Sequence, residues 1–315
     1  MIELFPEGTD PTFATYTVCT VVGLLAAGFV LVILGGVLRK NVSGAWLTYK
    51  GWLFILPCVF GAIYMGRVWV IVGTTLLSVF AFKEFARGTG LYRDWWYTCA
   101  VYLGIASLGA VTLATDPNTG ATGWYGMFTT VPVFTIGLLV TIPVLRNRSE
   151  GQLQRVCLSV VGFIYVGWLF GHLGYLANSE QYIGYVLYLV FAVQLNDIAA
   201  FTFGKALGKH KLRSEVSPNK TVEGSLGAAL VSLALPWAMH FSFPHFETVE
   251  LLLTGLIVGI GGQLGDLAIS FIKRDLGVKD MGTLIPGHGG LLDRLDSLIF
   301  TAPLFFHMVR WFHGV

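Results

Sequence analysis

The chain has 315 residues, of which 55% are apolar and only 12% charged, with a formal net charge of +2 and a mean hydropathy of +0.70. Soluble domains carry roughly 25% charged residues, so this composition excludes an ordinary water-soluble globule. The small net charge also gives no field suited to nucleic acid, and what remains is an integral membrane protein.

A helix needs about 20 predominantly apolar residues to cross the hydrocarbon layer. Windows of that kind run over residues 15–38, 51–66, 68–83, 96–114, 124–145, 154–176, 182–204, 225–241, 249–272 and 296–312. The second and third are short, and read either as one re-entrant pair or as two tilted helices. The expectation is an all-α, polytopic integral membrane protein with about nine or ten transmembrane helices. Glu3, Glu7 and Asp10 stand where a cleavable signal would carry basic residues, so the first span is expected to be retained.

The distribution of cations is more informative than their total. If the loop bearing Arg39, Lys40 and Lys50 faces the cytoplasm, alternation over ten spans brings every Lys and Arg except Arg67 and Arg310 to that side. That is the bias of the positive-inside rule, with both termini outside. Merging the two short windows would invert every later loop, so the bias favours two separate spans.

Residues 1–145 read as membrane scaffold helices and 146–315 as catalytic membrane helices, within one continuous membrane domain. Trp95, Trp96 and Trp124 fall at headgroup depth. Lys83 and Glu84 read as a solvated pair at a helix end, and His172 as a neutral histidine bonded to a neighbouring helix. Cys19, Cys58, Cys99 and Cys157 stand singly, without C-x-x-C spacing, and read as small packing residues.

Chemistry enters with Asn196-Asp197. Asp197 lies inside an apparent span, where ionisation against lipid costs several kcal/mol, so a cation is expected beside it. The cation is either a structural partner, Lys205 or Lys209, or a metal or substrate group. Gly204-Lys205 and Gly208-Lys209 repeat at four residues, bringing both lysines to one face if the helix continues. Such a face serves phosphate or lipid headgroups equally.

Ser217-Pro218-Asn219-Lys220-Thr221-Val222-Glu223-Gly224 then packs a turn, a lysine, a hydroxyl and a carboxylate ahead of a span. The same residues make a plain helix cap. Gly255, Gly259, Gly261, Gly262 and Gly265 permit close helix contact. Packing does not explain Asp266, nor Lys273 seven residues on, about 10 Å up the axis. A carboxylate below and a cation above suit a metal-bound polyphosphate. Asp293 and Asp296 project from one face, close enough to share a cation, or form a solvated first turn favoured by the helix dipole. His288, between two glycines, is placed either to serve a phosphate or simply to turn the chain.

Taken together, Ser270-Phe271-Ile272-Lys273-Arg274, Lys279-Asp280-Met281-Gly282 and Pro286-Gly287-His288-Gly289-Gly290-Leu291-Leu292-Asp293-Arg294-Leu295-Asp296 closely resemble the signature of the phosphatidate cytidylyltransferase (CDP-diacylglycerol synthase) family. The resemblance reaches back through Gly265-Asp266 and Ser217–Gly224 to Asn196-Asp197, over about residues 190–312. It departs at Phe201, where the family often has tyrosine, and at Ala228, where it often has glycine.

The resemblance implies that CTP and phosphatidate are joined to give CDP-diacylglycerol and pyrophosphate, with Mg²⁺ as cofactor and room for a second cation. It implies Asp266 and Asp293 as Mg²⁺ ligands, with Asp197 and Asp296 as further ligands or their partners. Lys209, Lys220, Lys273 and Arg294 would neutralise phosphates, and His288 with the Gly289-Gly290 backbone would line the nucleotide site. Lys205, Ser217, Thr221, Glu223, Lys279 and Asp280 are expected around the substrates.

The expected partners are CTP, phosphatidate or a related lipid phosphate, and membrane lipids, with no nucleic acid; a homodimer is left open. The active site is expected to face the cytoplasm. Three alternatives remain at this point: a cytidylyltransferase acting on another lipid, a CTP-dependent lipid kinase, which would release CDP, and an ion-coupled transporter using Asp197 and Asp266 as a cation path.

Overall fold

The computed structural model describes residues 9–37, 41–282 and 289–314. Glu3, Glu7, Arg39, Lys40 and His288 therefore lie outside the described residues. The first helix, α1 (Pro11–Val32), starts at Asp10, whose carboxylate accepts the Thr12 N–H at 2.7 Å and the Phe13 N–H at 3.1 Å. Pro11 occupies the first helical position, where a missing N–H costs nothing.

Four long helices follow: α2 (Ser43–Tyr64), α3 (Arg67–Gly88), α4 (Trp95–Leu113) and α5 (Tyr125–Leu145). α6 (Gln152–Gly162) runs through a π-helical stretch, Phe163–Leu169, into α7 (Phe170–Tyr175), making one rod. α8 (Tyr182–Leu207) leads into a hairpin, β1 (Lys211–Arg213) and β2 (Ser217–Thr221), and then α9 (Val222–Ala238). α10 (Thr248–Leu256) and α11 (Gly262–Asp275) form another rod through a π-helical turn at Ile257–Gly261, and α12 (Leu292–His313) closes the bundle.

Among the described residues, eight helices are long and apolar enough to cross a membrane. α9 has only 17 residues, and α12 carries Asp293, Arg294, Asp296 and Arg310. The two short windows of the sequence are full helices of 22 residues each, separated at Met65 and Gly66. Hydropathy falls away at Lys50 and Lys83 while the helices continue, because a lysine at a span end reaches its ammonium out to the headgroups.

Successive rods alternate in direction. At one end, Arg146 of the α5 end and Arg155 of α6 bind Asp94 before α4, and Arg274 of α11 bonds the Val216 carbonyl of the hairpin at 3.3 Å. At the other, Arg67 bonds Asn178 at 2.6 Å and caps α4 through the Thr112 and Leu113 carbonyls. There too, Tyr185 bonds His245 at 2.7 Å and His313 meets Glu250. Among the described residues, the Lys and Arg side chains thus collect at one end, with Arg67 and Arg310 at the opposite one.

The largest fully buried side chains of the core are aromatic, among them Phe82, Phe128, Phe163, Tyr185, Tyr188 and Phe305, while Phe29, Phe54, Val144 and Leu230 are exposed on the lipid-facing surface. The four cysteines also lie on that outer surface and not in the packing. His172 is buried, but its Nδ1 pairs with the Trp168 carbonyl of its own rod at 2.8 Å and not with a neighbouring helix. The glycine pairs of the α10–α11 rod serve two different neighbours. A Cβ on Gly255 would lie 2.8 Å from Leu233 Cα of α9, and one on Gly265 would collide with the Asp296 carbonyl of α12.

Candidate active site

The cation-rich end of the bundle holds two groups of ionisable side chains. The first is built on α11, where Asp266 Oδ2 lies 2.6 Å from Lys220 Nζ and Oδ1 accepts the Ser270 hydroxyl at 3.3 Å. Lys220 reaches there because β2 pairs antiparallel with β1, Lys211 opposite Thr221 and Arg213 opposite Ser217. That pairing folds the hairpin back over the helix ends. Gln263 Oε1 accepts from both Lys220 Nζ and Ser225 Oγ at 3.3 Å, fixing the ammonium from a second direction. The Lys220 side chain is 16% exposed and that of Asp266 31%, so the pair is open to a solute from one side.

The other members of the Ser217–Gly224 element hold backbone. Thr221 Oγ1 accepts the Gly224 N–H at 3.1 Å as the cap of α9. Glu223 accepts the N–H groups of Lys209 and His210 and pairs with His210 Nδ1 at 2.6 Å, pinning the turn after α8. Ser217 is half-buried in β2.

Asp197 of α8 and Asp296 of α12 converge on Asp266. Asp296 lies within electrostatic range of Asp266 and Asp197, and Asp197 within range of Asp266, Lys220 and Arg294. Asp296 is 6% exposed, and its Oδ1 accepts the Ser297 N–H at 2.6 Å. Next to Asp197, Asn196 is fully buried and accepts the Ser232 hydroxyl at 3.0 Å, tying α8 to α9.

The cations facing Asp197 are therefore Lys220 and Arg294. Lys205 stands over the Phe201 ring at 5.9 Å, and α8 ends at Leu207 with Gly208 extended, so Lys205 and Lys209 do not share a helical face.

The second group joins Lys273, two turns beyond Asp266, to Asp293 at 2.8 Å, with side chains 14% and 8% exposed. Asp293 Oδ2 also accepts the N–H groups of Met281 at 3.0 Å and Gly290 at 3.2 Å. Gly289 adopts a left-handed backbone, φ +79°, beside the Asp280 and Asp293 carboxylates. Lys279, Asp280 and Arg294 are exposed at the rim. Asp293 and Asp296, though spaced for one helix face, are engaged differently: Asp293 with Lys273 and the loop, Asp296 with the acidic group.

Asp197, Asp266 and Asp296 offer only oxygen donors, the donor type that suits a hard divalent cation. Among the described residues no three such side chains already stand as a metal cage.

Three contributors escaped the sequence reading. Gln263 and Ser225 orient Lys220. Glu84 is only 8% exposed and accepts the Leu292 N–H at 2.9 Å, so it is not half of a solvated pair with Lys83. A polar side chain inside a largely apolar helix was the available signal for each.

The profile of the cytidylyltransferase family matches residues 48–312, well beyond the C-terminal motifs and including α3. The chain is 33% identical over 272 residues to the uncharacterized protein YnbB of Escherichia coli (strain K12), covering 84% of this chain and 87% of that one. It is 42% identical over 161 residues to the phosphatidate cytidylyltransferase of Staphylococcus aureus (strain COL) and 41% over 160 residues to that of Staphylococcus haemolyticus (strain JCSC1435). Those two matches span 50% of this chain and 60% of each relative's length. With a match running through both groups of paired lysines and carboxylates, the chain belongs to the cytidylyltransferase family.

Proposed function

We propose that this protein is a membrane nucleotidyltransferase that converts CTP and phosphatidate to CDP-diacylglycerol and pyrophosphate, with its active site on the cytoplasmic side. The observation that carries the reading is the pair of lysine–carboxylate contacts, Lys220–Asp266 at 2.6 Å and Lys273–Asp293 at 2.8 Å, at the end of the bundle where the cations collect.

A phosphate oxygen of phosphatidate attacks the α-phosphorus of CTP. The new P–O bond forms as the bond from the α-phosphorus to the bridging β-phosphate oxygen breaks, and pyrophosphate leaves. A phosphate monoester loses its second proton with a pKa of about 6, so the nucleophile is ionised near neutral pH and no strong general base is required. The difficulty is to bring two polyanions together, and positioning with charge stabilisation supplies most of the catalysis.

Lys220 and Lys273 do this in the proposal, each oriented by its carboxylate. Asp266, with Asp197 and Asp296 beside it, would hold Mg²⁺, which would supply charge neutralisation to the triphosphate. Exposed Lys205, Lys209, Lys279 and Arg294 draw anionic substrates toward the rim.

The test is turnover of purified protein in detergent with Mg²⁺, a panel of phospholipids and CTP labelled at either the α- or the γ-phosphate. The proposal expects α-label in lipid and release of pyrophosphate. Label passing from the γ-position with release of CDP would identify a kinase instead. Cation flux in proteoliposomes without CTP consumption would identify a transporter.

A further inference from the structure

α12 has no side-chain cap of its own, since Leu291 occupies the capping position. The acceptor for its first N–H comes from far away: Glu84 Oε2, on the last turns of α3, takes the Leu292 N–H at 2.9 Å across 208 residues of sequence. The next residue, Asp293, binds Lys273 through one oxygen and the Met281 and Gly290 N–H groups through the other. The two carboxylates thus divide between them three backbone donors at the mouth of α12.

Two glycines make room for Glu84. A Cβ on Gly290 would stand 2.8 Å from both Glu84 Oε2 and Asp293 Oδ2, and one on Gly282 would collide with Glu84 Oε1. Oε1 is itself buried, and among the described residues no hydrogen-bond donor reaches it. A buried carboxylate left half-satisfied costs stability, so the residue is not explained as a stabilising contact alone.

We propose that Glu84 is a positioning residue, a strut from α3 that fixes the start of α12 and thereby holds Asp293 against Lys273. It acts through Asp293 and does not touch substrate. The proposal rests on the active-site reading for its effect on turnover, but amide exchange reads the strut directly.

The experiment compares Glu84→Ala, Glu84→Gln, Gly282→Ala, the Glu84→Ala/Gly282→Ala double variant and a Lys83→Ala control, all in the full-length protein in detergent. Losing the cap should quicken exchange of amides in 289–296 by about tenfold in Glu84→Ala while α5 exchanges as in wild type. The same variant should lose at least about tenfold in kcat, with KM for CTP held within about threefold.

Glu84→Gln keeps an acceptor for Leu292, so its exchange should stay near wild type, its kcat within about fivefold, and its melting temperature no lower. Gly282→Ala should quicken the same amides by crowding the carboxylate, and the double variant should be no slower in turnover than Glu84→Ala, because the clash is gone. Lys83→Ala should change neither readout.

Unchanged exchange in Glu84→Ala, Glu84→Gln as impaired as Glu84→Ala, or additive losses in the double variant would each overturn the proposal. Should Glu84→Ala fail to fold, Gly282→Ala decides: faster exchange confined to 289–296 supports the strut, and unchanged exchange refutes it. A wild-type protein that makes no CDP-lipid overturns the substrate reading, while the exchange pattern still decides on Glu84.

Discussion

Replacing Asp266 by Asn separates catalysis from stability at this site. The Asp266–Lys220 contact is 2.6 Å long, and at an effective dielectric of about 20 two unit charges at that distance attract by about 6 kcal/mol. Little of this is net stability. The side chains are 31% and 16% exposed, so solvent competes with the contact, and Asp197 and Asp296 repel Asp266 in the folded state. The expected change in stability is about 1 kcal/mol or less, or a shift in melting temperature of a few degrees at most.

Turnover should behave differently. Asp266→Asn removes a proposed Mg²⁺ ligand and frees the Lys220 ammonium, and loss of one such electrostatic element lowers kcat by about 10²–10³-fold. That loss equals about 2.7–4.1 kcal/mol of barrier. The assay measures kcat and KM for CTP across a Mg²⁺ titration, beside a thermal melt of the same preparation. Near-wild-type turnover with unchanged Mg²⁺ dependence would refute the assignment, and so would loss of the fold, which would make Asp266 a structural residue.

Other outcomes follow from the same contacts. Chelation should abolish turnover, and Mg²⁺ should restore it without a change in the melt; activity that survives chelation would remove the metal from the proposal. Lys273→Ala strips Asp293 of its partner and should cost about 10²-fold in kcat, whereas Lys205→Ala, at an exposed lysine over Phe201, should cost less than about threefold.

Asp94 is 7% exposed and bound by Arg146 and Arg155, the latter 45% exposed. Asp94→Asn should therefore destabilise by about 2–3 kcal/mol, read as a lowered melting temperature with the helical spectrum retained. Burial by itself would raise the Asp94 carboxyl, but the two guanidinium bonds outweigh it and hold it below the usual carboxylate range. Its contribution to stability is thus present above the unfolded-state value of about 3.9 and is lost as pH falls further, through the lower folded-state value; melts at stepped pH check the sign. Gly265→Ala should break the α11–α12 crossing, since its Cβ would lie 2.8 Å from Ser297 Cα, and loss of both fold and turnover would register it.

Much of this molecule is legible along the chain because burial in lipid is a local property. A run of about 20 apolar residues is a span whatever its neighbours are, and the one-sided cations give the expected orientation of the set. Where a helix continued past the apolar run, as α2 and α3 do at Lys50 and Lys83, hydropathy underestimated it. The four-residue spacing of Lys205 and Lys209 promised a shared face that Gly208 prevents. Glu223, expected around the substrates, ties down the turn before β1, a contact its spacing did not announce. Local spacing carries no information on where a chain leaves its helix or which backbone donors need an acceptor.

The sequence by itself determined that this is a polytopic helical membrane protein with its acids, lysines and glycines gathered near one end of the bundle, because hydropathy, charge bias and motif order are written in consecutive residues. Only the tertiary structure decided which side chains meet. Lys220 meets Asp266 and Lys273 meets Asp293, although any of several lysines had the same charge to offer. Glu84 reaches α12 across 208 residues. The hairpin carries Lys220 over α11 and the α11–α12 crossing at Gly265 brings Lys273 to Asp293, and both are properties of the assembled chain that no single segment encodes.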